Sequence, residues 1–243
     1  IKIAEAHISK PFIRNLHRLA KKSMIYQIIG KIWTRKLDNA IKRMDALVVL
    51  TERDAEKWKK IKKATVIPNS LPFYPEASST CETKKIISVG RLDEQKGYDM
   101  LIDAWETVHK QHPDWKIIIY GNGELHDILK YAIIQKHLED SFILHEPVKD
   151  IMNQYLDSSI YVMSSRFEGF GMVLAEAMAC GVPCISFDCP YGPSDIIKDF
   201  VDGLMVENGN VVQLAQKISE LIEQEAIRKR MGQQAKLNIK RYS

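Results

Sequence analysis

The sequence lacks any run of about 18 apolar residues, the length that a helix needs to cross a bilayer. Its start also lacks the basic, apolar and small-residue order of a secretory signal. Both absences predict a protein that is soluble or bound peripherally to a membrane. The first residue is Ile1 rather than Met, and residues 1–6 have the pattern of a strand, so we expect the chain to be truncated at its N-terminus.

Cysteines and paired aspartates are also few. No D-x-D pair occurs, which leaves no obvious carboxylate pair for a divalent cation, and we expect no metal and no cofactor. No two cysteines have C-x-x-C spacing, and three of the four fall around one predicted helix and strand. Free buried thiols in a reducing cytoplasm are favoured over a metal site. The four are Cys81, Cys180, Cys184 and Cys189.

Charge is unevenly distributed, although the net charge is only +4. Residues 1–63 hold 17 Lys and Arg against 6 Asp and Glu, whereas the remainder holds 18 against 25. This asymmetry indicates that the first part meets an anionic partner such as phospholipid or a lipid diphosphate. No nucleic acid is expected among the partners.

From Lys85 onward, short apolar runs alternate with helical patterns. Apolar runs without polar alternation are typical of strands covered on both faces, as in a parallel sheet flanked by helices. The sequence therefore predicts an α/β fold with a doubly wound parallel sheet. The six candidate strands are residues 86–89, 117–120, 142–144, 160–163, 182–186 and 204–206.

The pattern before Lys85 is different, with three short candidate strands at residues 1–6, 46–50 and 64–67 separated by a long basic stretch. A segment rich in Pro, Ser and Thr follows, which is typical of a linker. We predict part of a Rossmann-like domain over residues 1–72, a linker over 73–84, and a complete Rossmann-like domain over 85–225. Residues 226–243 would form a C-terminal helix that crosses back to the first domain.

Ligands of a doubly wound sheet lie outside the carboxyl ends of its strands. In this sequence the loops at residues 90–97, 121–124 and 164–171 are polar and rich in glycine, and one crevice could collect all three. Arg91 and Lys96 flank the start of a helix, where two cations and free backbone N–H groups suit a diphosphate. The alternative is a solvated turn with ordinary surface charges.

Gly169-Phe170-Gly171 should open a helix over residues 172–179, because glycine lets a ligand approach the free N–H groups. Glu168 precedes this helix and Glu176 lies inside it. A carboxylate suits a sugar diol, since its two oxygens accept two hydrogen bonds. The alternative is that Glu168 balances the helix dipole and Glu176 is a surface residue.

The stretch Glu168-Gly-Phe-Gly-Met-Val-Leu-Ala-Glu176 followed by Ala-Met-Ala-Cys-Gly-Val-Pro resembles the E-x7-E motif of family 4 glycosyltransferases. The loops at residues 90–97 and 121–124 are similar to that family's diphosphate loop and second loop, and residues 66–69 to its interdomain entry. Residues 190–197 resemble a segment of members that build capsule and lipid-linked oligosaccharides. The resemblance implies a GT-B fold, with the second Rossmann-like domain only partly present.

The resemblance also implies roles for matching residues. Arg91 and Lys96 would hold the donor diphosphate, Glu176 the ribose, and Glu168 the transferred sugar. His7 resembles a histidine at the acceptor-side cleft, although a structural strand-end histidine is nearly as well supported. The catalytic candidates are Arg91, Lys96, Glu168 and His7; the donor-binding candidates are Gly90, Arg91, Lys96, Gly121, Asn122, Gly123, Val148, Glu168, Gly169, Phe170, Gly171, Met172, Val173 and Glu176.

Val148 would hold the base through its backbone, but the family often has glycine where Glu146-Pro147 stands. The activity implied is retaining transfer of a hexose or N-acetylhexosamine, with a UDP-sugar as donor. The acceptor would be a glycan or a polyprenyl-diphosphate-linked sugar at the inner face of the bacterial plasma membrane. Arg91 and Lys96 would neutralise the charge that accumulates on the leaving diphosphate.

In the basic stretch Ser9 to Leu37, cations are interleaved with apolar residues at roughly helical spacing. One interpretation is a helix lying on an anionic membrane surface, with contacts over residues 9–43. The other is a domain helix whose apolar face packs on a sheet, and both can hold at once.

Three other functions are weighed against glycosyl transfer. A dehydrogenase would need G-x-G-x-x-G after a strand, and Gly121-x-Gly123 lacks the third glycine. A sugar-nucleotide epimerase of the same layout is chemically closer, and product formation without an acceptor would identify it. The main alternative that is not an enzyme is a non-catalytic sugar-nucleotide-binding module.

Overall fold

The computed structural model describes residues 1–6 and 24–243. The chain divides into two compact units, one of residues 1–69 with 168–170 and one of residues 70–167 with 171–243. The domain bounds deduced above from the sequence stay a prediction. His7 and most of the apolar positions between Ser9 and Ile25 lie outside the described residues.

The first unit contains a three-stranded parallel sheet of order β1-β2-β3. Thr51 caps the start of the helix Glu52–Trp58, since its side chain accepts a hydrogen bond from the Asp54 amide at 3.2 Å. A small core of Ile41, Leu47, Val49 and Trp58 joins the helices to the sheet. The elements are β1 Ile3–Ala6, α1 Met24–Lys42, β2 Ala46–Val49, α2 Glu52–Trp58 and β3 Thr65–Val66.

The second unit contains a six-stranded sheet of order β6-β5-β4-β7-β8-β9, and all five strand pairs are parallel. The chain starts in the middle of the sheet at β4, winds outward to β6, and returns to β7 on the other side. This is the doubly wound order predicted from the apolar runs, and all six candidate strands are confirmed. They are β4 Lys85–Val89, β5 Lys116–Tyr120, β6 Phe142–His145, β7 Ile160–Met163, β8 Cys184–Phe187 and β9 Gly203–Val206.

Seven helices of this unit connect or cover the strands within the described residues. Strands β7 and β8 are buried at every position, as expected for strands with helices on both faces. A 3-10 turn, Glu94–Lys96, precedes the helix that the sequence placed near Gly97. The helices are α3 Tyr98–Gln111, α4 His126–Gln135, α5 Ile151–Leu156, α6 Met172–Ala179, α7 Pro193–Ile196, α8 Val211–Glu223 and α9 Glu225–Ile239, and a 3-10 turn Lys240–Tyr242 follows.

The four cysteines are buried thiols. Burial raises the pKa of Cys180 to about 12, so this thiol stays protonated at neutral pH and packs as a small apolar group. None of the helices within residues 24–243 is long and apolar enough to cross a membrane.

Candidate functional site

The loops that follow β4 and β5 are in direct backbone contact. The Gly90 amide donates to the Tyr120 carbonyl at 3.1 Å, and the Leu92 amide donates to the Asn122 carbonyl at 2.8 Å. A Cβ atom on Gly121 would lie 1.9 Å from the Gly90 carbonyl oxygen. Glycine is therefore required at position 121 because two backbones meet there.

The loop after β7 closes on the other side of the β4 loop. The Ser164 hydroxyl donates to the Lys96 carbonyl at 2.9 Å, and the Arg166 amide donates to the Gln95 carbonyl at 2.8 Å. Gly97 has φ +64°, and a Cβ atom on it would lie 2.2 Å from the Ser164 carbonyl oxygen. Of the three loops predicted to share one crevice, at residues 90–97, 121–124 and 164–171, the first contacts the second, and it also contacts residues 164–166 of the third.

Arg166 clamps two of these loops together. Its guanidinium donates to both carboxylate oxygens of Asp99, at 2.8 and 2.5 Å, and to the Glu94 carbonyl at 2.9 Å. Burial raises the pKa of Asp99, but the paired Arg166 outweighs it and holds that pKa below its ordinary value. The sequence alone did not predict this clamp. Its one signal was an arginine at a strand end and an aspartate in the first turn of the helix after the neighbouring strand.

The two predicted diphosphate ligands lie at the end of β4. A Cβ atom on Gly90 would lie 2.9 Å from Lys96 Cε, so the half-buried Lys96 side chain folds back over the strand end. Arg91 is 74% exposed and its guanidinium pairs with Asp93 at 3.1 Å. Lys96 thus lies directly before the amino end of α3, where the helix dipole also favours an anion, and Arg91 lies five residues earlier in the same loop.

Helix α6 begins after Gly171, whose φ of +96° is a conformation that other residues adopt only with strain. The helix leaves its first N–H groups, at Met172 and Val173, outside its own hydrogen-bond ladder. Glu176 lies one turn in, and the Tyr155 hydroxyl donates to its Oε2 at 3.0 Å. Burial raises the pKa of Glu176, and the bond from Tyr155 acts in the opposite direction.

Val148 is half-buried in the loop after β6, next to the β5 loop, since the Gly121 amide donates to the His145 carbonyl at 2.9 Å. Residues 168–170 are grouped with the first unit, and within them Glu168 is 7% exposed and Phe170 3% exposed. Gly169 between them is partly buried.

No cluster of three or more His, Cys, Asp or Glu in the described part of the chain is arranged to hold a metal ion. Among residues 90–97, the charged side chains are Arg91, Asp93, Glu94 and Lys96, and the two cations stand beside the glycines. Two cations next to a glycine backbone are a combination that suits an anion.

The sequence matches the family model described as Glycosyl transferases group 1 over residues 75–238. It is 36% identical over 208 residues to the amylovoran biosynthesis glycosyltransferase AmsD of Erwinia amylovora, covering 82% of this chain and 58% of that protein. It is 31% identical over 207 residues to the poly(ribitol-phosphate) alpha-N-acetylglucosaminyltransferase of Staphylococcus aureus, covering 84% of this chain and 42% of that protein.

A solved structure of a mutant of S. aureus TarM in complex with fondaparinux, alpha-GlcNAc-glycerol and UDP has a TM-score of 0.80 to this chain. The two are 28% identical, and the match covers 86% of this chain and 44% of TarM. The chain thus spans about half the length of the relatives it matches, and its α/β fold with parallel sheets is part of a GT-B glycosyltransferase fold. Because the family model covers more than half of its length, the chain belongs to the Glycosyl transferases group 1 family.

Proposed function

We propose that this chain carries the donor site of a retaining transferase that moves a hexose or N-acetylhexosamine from a UDP-sugar to an acceptor. The acceptor is a glycan or a polyprenyl-diphosphate-linked sugar. The observation that carries the proposal is the joined sheet edge, where Lys96 folds over Gly90 and the β5 and β7 loops hold the β4 loop in place. A preformed edge of this kind lowers the entropic cost of binding a diphosphate.

Charge neutralisation is the chemical task of this edge. As the bond between the sugar and the diphosphate lengthens, negative charge accumulates on the leaving diphosphate. Lys96 and Arg91, with the amino end of α3, stabilise that charge, and one such donor contributes about 3 kcal/mol. Arg91 pairs with Asp93 at an exposed site, where an ion pair is worth about 1 kcal/mol or less, so turning toward a diphosphate costs little.

Glu168 and Glu176 bind the transferred sugar and the ribose of the same donor. Glu176 accepts hydrogen bonds from the ribose, and the buried Glu168 contacts the transferred sugar with the amides of residues 169–171. The N–H groups of Met172 and Val173 at the start of α6 are further donors, and the Val148 backbone holds the base. Burial of Glu168 and the half-burial of Glu176 support these roles, because a shielded carboxylate binds a hydroxyl more strongly than a solvated one.

Calorimetric titration with UDP tests the proposal, since donor binding needs no acceptor. We expect Arg91→Ala combined with Lys96→Ala to weaken UDP binding by about 100-fold, from two lost charge-assisted interactions. Lys84→Ala with Lys116→Ala removes the same number of positive charges from the opposite, amino ends of β4 and β5 and serves as the matched control. Unchanged UDP affinity in the double variant rejects the assignment.

We further propose that the donor site needs no divalent cation. The sequence has no D-x-D pair, and the two cations at the end of β4 take over neutralisation. UDP affinity should be the same with EDTA and with Mg²⁺ or Mn²⁺. Binding that is lost in EDTA and restored by either metal contradicts this point.

An anionic membrane surface at the inner face of the bacterial plasma membrane is the proposed partner of residues 9–43. On α1, Leu37 and Ile41 pack in the core of the first unit, whereas residues 28–33 expose large apolar side chains. Exposed cations accompany them, and this mixture suits the interface of anionic lipid. The exposed apolar residues are Ile28, Ile29, Ile32 and Trp33, and the cations are Lys31, Arg35, Lys36, Lys42 and Arg43.

Vesicle flotation checks the membrane contact. Ile32→Ser with Trp33→Ser should abolish flotation with vesicles containing phosphatidylglycerol. The control is Ile128→Ser with Tyr131→Ser, which removes exposed apolar side chains from α4 instead. Flotation that survives the α1 changes, or that depends equally on the α4 side chains, excludes α1 as the contact.

A further inference from the structure

The Tyr155 side chain is fully buried, and its hydroxyl donates to Glu176 Oε2 at 3.0 Å. Burial raises the pKa of Tyr155 well above its ordinary value, so the phenol remains a donor at every working pH. The Tyr155 ring packs beside Tyr161, with 6.1 Å between the ring centroids, which limits its rotation. Glu176 is thus held by a donor that neither ionises nor moves freely.

A held carboxylate binds a hydroxyl better than a mobile one. The bond from Tyr155 uses one acceptor position on Oε2 and leaves Oε1 for a ligand. It also fixes the plane of the carboxylate, so a ligand does not bear the entropic cost of ordering that side chain.

Tyr155 belongs to α5, which starts directly after the loop that contains Val148. The Asp150 side chain begins this helix by accepting from the Asn153 amide at 3.3 Å. Gln154, beside Tyr155, accepts from the Tyr120 hydroxyl at 2.6 Å. The short helix is therefore anchored to β5, and it links the loop proposed to hold the base to the carboxylate proposed to hold the ribose.

We propose that Tyr155 is the positioning residue for Glu176, and that the Tyr155–Glu176 pair makes donor binding selective for a ribonucleotide through its 2′-hydroxyl. This inference rests on the proposed function, because it takes Glu176 to be the ribose ligand. The inference adds Tyr155, which belongs to α5, to the proposed ribose site. It also gives the pair a stronger selectivity for ribonucleotides than Glu176 would have alone.

The pH dependence of binding gives a readout that a purely structural role would not move. Burial raises the pKa of Glu176 and the Tyr155 hydroxyl opposes that rise. The other titratable groups near the pair are Cys180, at the end of α6, and Tyr161, whose ring lies beside that of Tyr155. Without the Tyr155 hydroxyl the Glu176 pKa rises further, so the ionised carboxylate is lost at a higher pH as the solution is acidified.

The experiment compares UDP with 2′-deoxy-UDP by calorimetry for the wild type, Tyr155→Phe and Tyr120→Phe. We expect Tyr155→Phe to lower UDP affinity by about 3- to 10-fold and to leave 2′-deoxy-UDP affinity unchanged. The pH at which UDP affinity falls on acidification should move upward in the same variant. Tyr120→Phe removes a hydroxyl that bonds the same helix at Gln154, and it should alter neither quantity.

A second comparison uses Glu176→Gln, alone and with Tyr155→Phe. The ratio of UDP affinity to 2′-deoxy-UDP affinity should be the same in the double variant as in Glu176→Gln alone. This pair also serves if Tyr155→Phe alone unfolds, because the double variant contains no charged carboxylate deprived of its donor.

Equal losses for both nucleotides, or no loss for either, in Tyr155→Phe overturn the inference while UDP binding by the wild type leaves the proposed function standing. A further fall in the affinity ratio of the double variant overturns the inference as well. Absence of UDP binding by the wild type overturns the proposed function and the inference together.

Discussion

At the residue scale, single atoms decide whether the loops of the sheet edge can meet. Gly121 faces the Gly90 carbonyl so closely that any Cβ atom would overlap it, whereas Gly30 in α1 has nothing within 4 Å of the position of its Cβ atom. The same substitution should therefore have opposite effects at these two positions. Alanine at position 121 would displace the backbone at Gly90, whereas alanine at position 30 would only restrict the unfolded chain.

We expect Gly121→Ala to lower the free energy of unfolding by about 3 kcal/mol, near the upper end of the usual cost of overpacking. Gly30→Ala should raise it by about 0.5 to 1 kcal/mol, because alanine is favoured over glycine inside a helix. Urea unfolding followed by circular dichroism measures both. Equal effects at the two positions would show that the contact at Gly121 does not constrain the loop.

The contribution of Asp99 to the free energy of unfolding depends on pH. Its pKa is lowered in the folded state by Arg166, so its contribution to stability is present above the ordinary aspartate value of about 3.9. That contribution is lost as the pH falls through the lowered folded value. The carboxylate is 57% exposed and the guanidinium 35% exposed, so solvent screening limits the effect to about 1 kcal/mol.

Asp99→Asn should therefore destabilise the protein at pH 7 and have a shrinking effect on unfolding free energy below about pH 4. Asp127→Asn, at a carboxylate that is 97% exposed on α4, is the comparison and should have little effect at either pH. Urea titrations at a series of pH values provide the measurement. A destabilisation by Asp99→Asn that stays constant down to the lowest pH would contradict the pairing.

At the scale of elements, α9 binds the segment of residues 71–83 within the second unit. Lys236 donates to the Glu76 and Ala77 carbonyls and to the Ser78 hydroxyl, at 2.9, 2.6 and 2.9 Å. Arg228, only 3% exposed, donates to the Cys81 carbonyl at 3.0 Å. A segment that the composition predicted to be a linker is thus hydrogen-bonded along much of its length.

Arg228 also donates to the Leu221 and Ile222 carbonyls at the end of α8, at 2.6 and 2.8 Å, and lies 5.2 Å from the Trp115 ring. Arg228→Met should cost about 3 kcal/mol or more of unfolding free energy, because three buried carbonyls lose their donor. Lys229→Met, next in sequence and paired only with Glu82 and Glu225 at the surface, should change it little. Chemical unfolding of both variants checks this, and similar effects would contradict the role of Arg228.

At the scale of the whole molecule, the large core lies entirely in the second unit, between Ile86 and Met231. The first unit has a much smaller core around Trp58. A core of the larger size is sufficient for independent folding, and the loops proposed to hold the diphosphate and ribose belong to the same unit.

A fragment of residues 70–243 should therefore unfold cooperatively and bind UDP. Thermal unfolding by circular dichroism and calorimetric titration with UDP test the two parts separately. A fragment without a cooperative transition contradicts the independence of the second unit. A folded fragment without UDP affinity would show instead that the donor site needs residues of the first unit.

Much of this site follows from local patterns. Apolar runs of three to five residues predicted each strand of the six-stranded sheet, and strand ends in a parallel sheet share one edge, so the meeting of the Gly90 and Gly121 loops was predictable. The strength of Arg166 as a clamp was not, because it depends on the register that brings Asp99, 67 residues away, within 2.8 Å. Neither residue belongs to a recognisable motif with the other.

The sequence by itself determined the strands of the larger sheet, the order of the loops and the resemblance to glycosyltransferases, because periodicity and motifs are properties of neighbouring residues. Only the tertiary structure decided the partners of the charged groups. The Arg228 to Cys81 bond joins residues 147 apart, and the Tyr155 to Glu176 bond joins two separate helices. Such pairs arise from packing, which places distant side chains within 3 Å of each other and gives a carboxylate, through burial and one donor, properties that its residue type alone does not have.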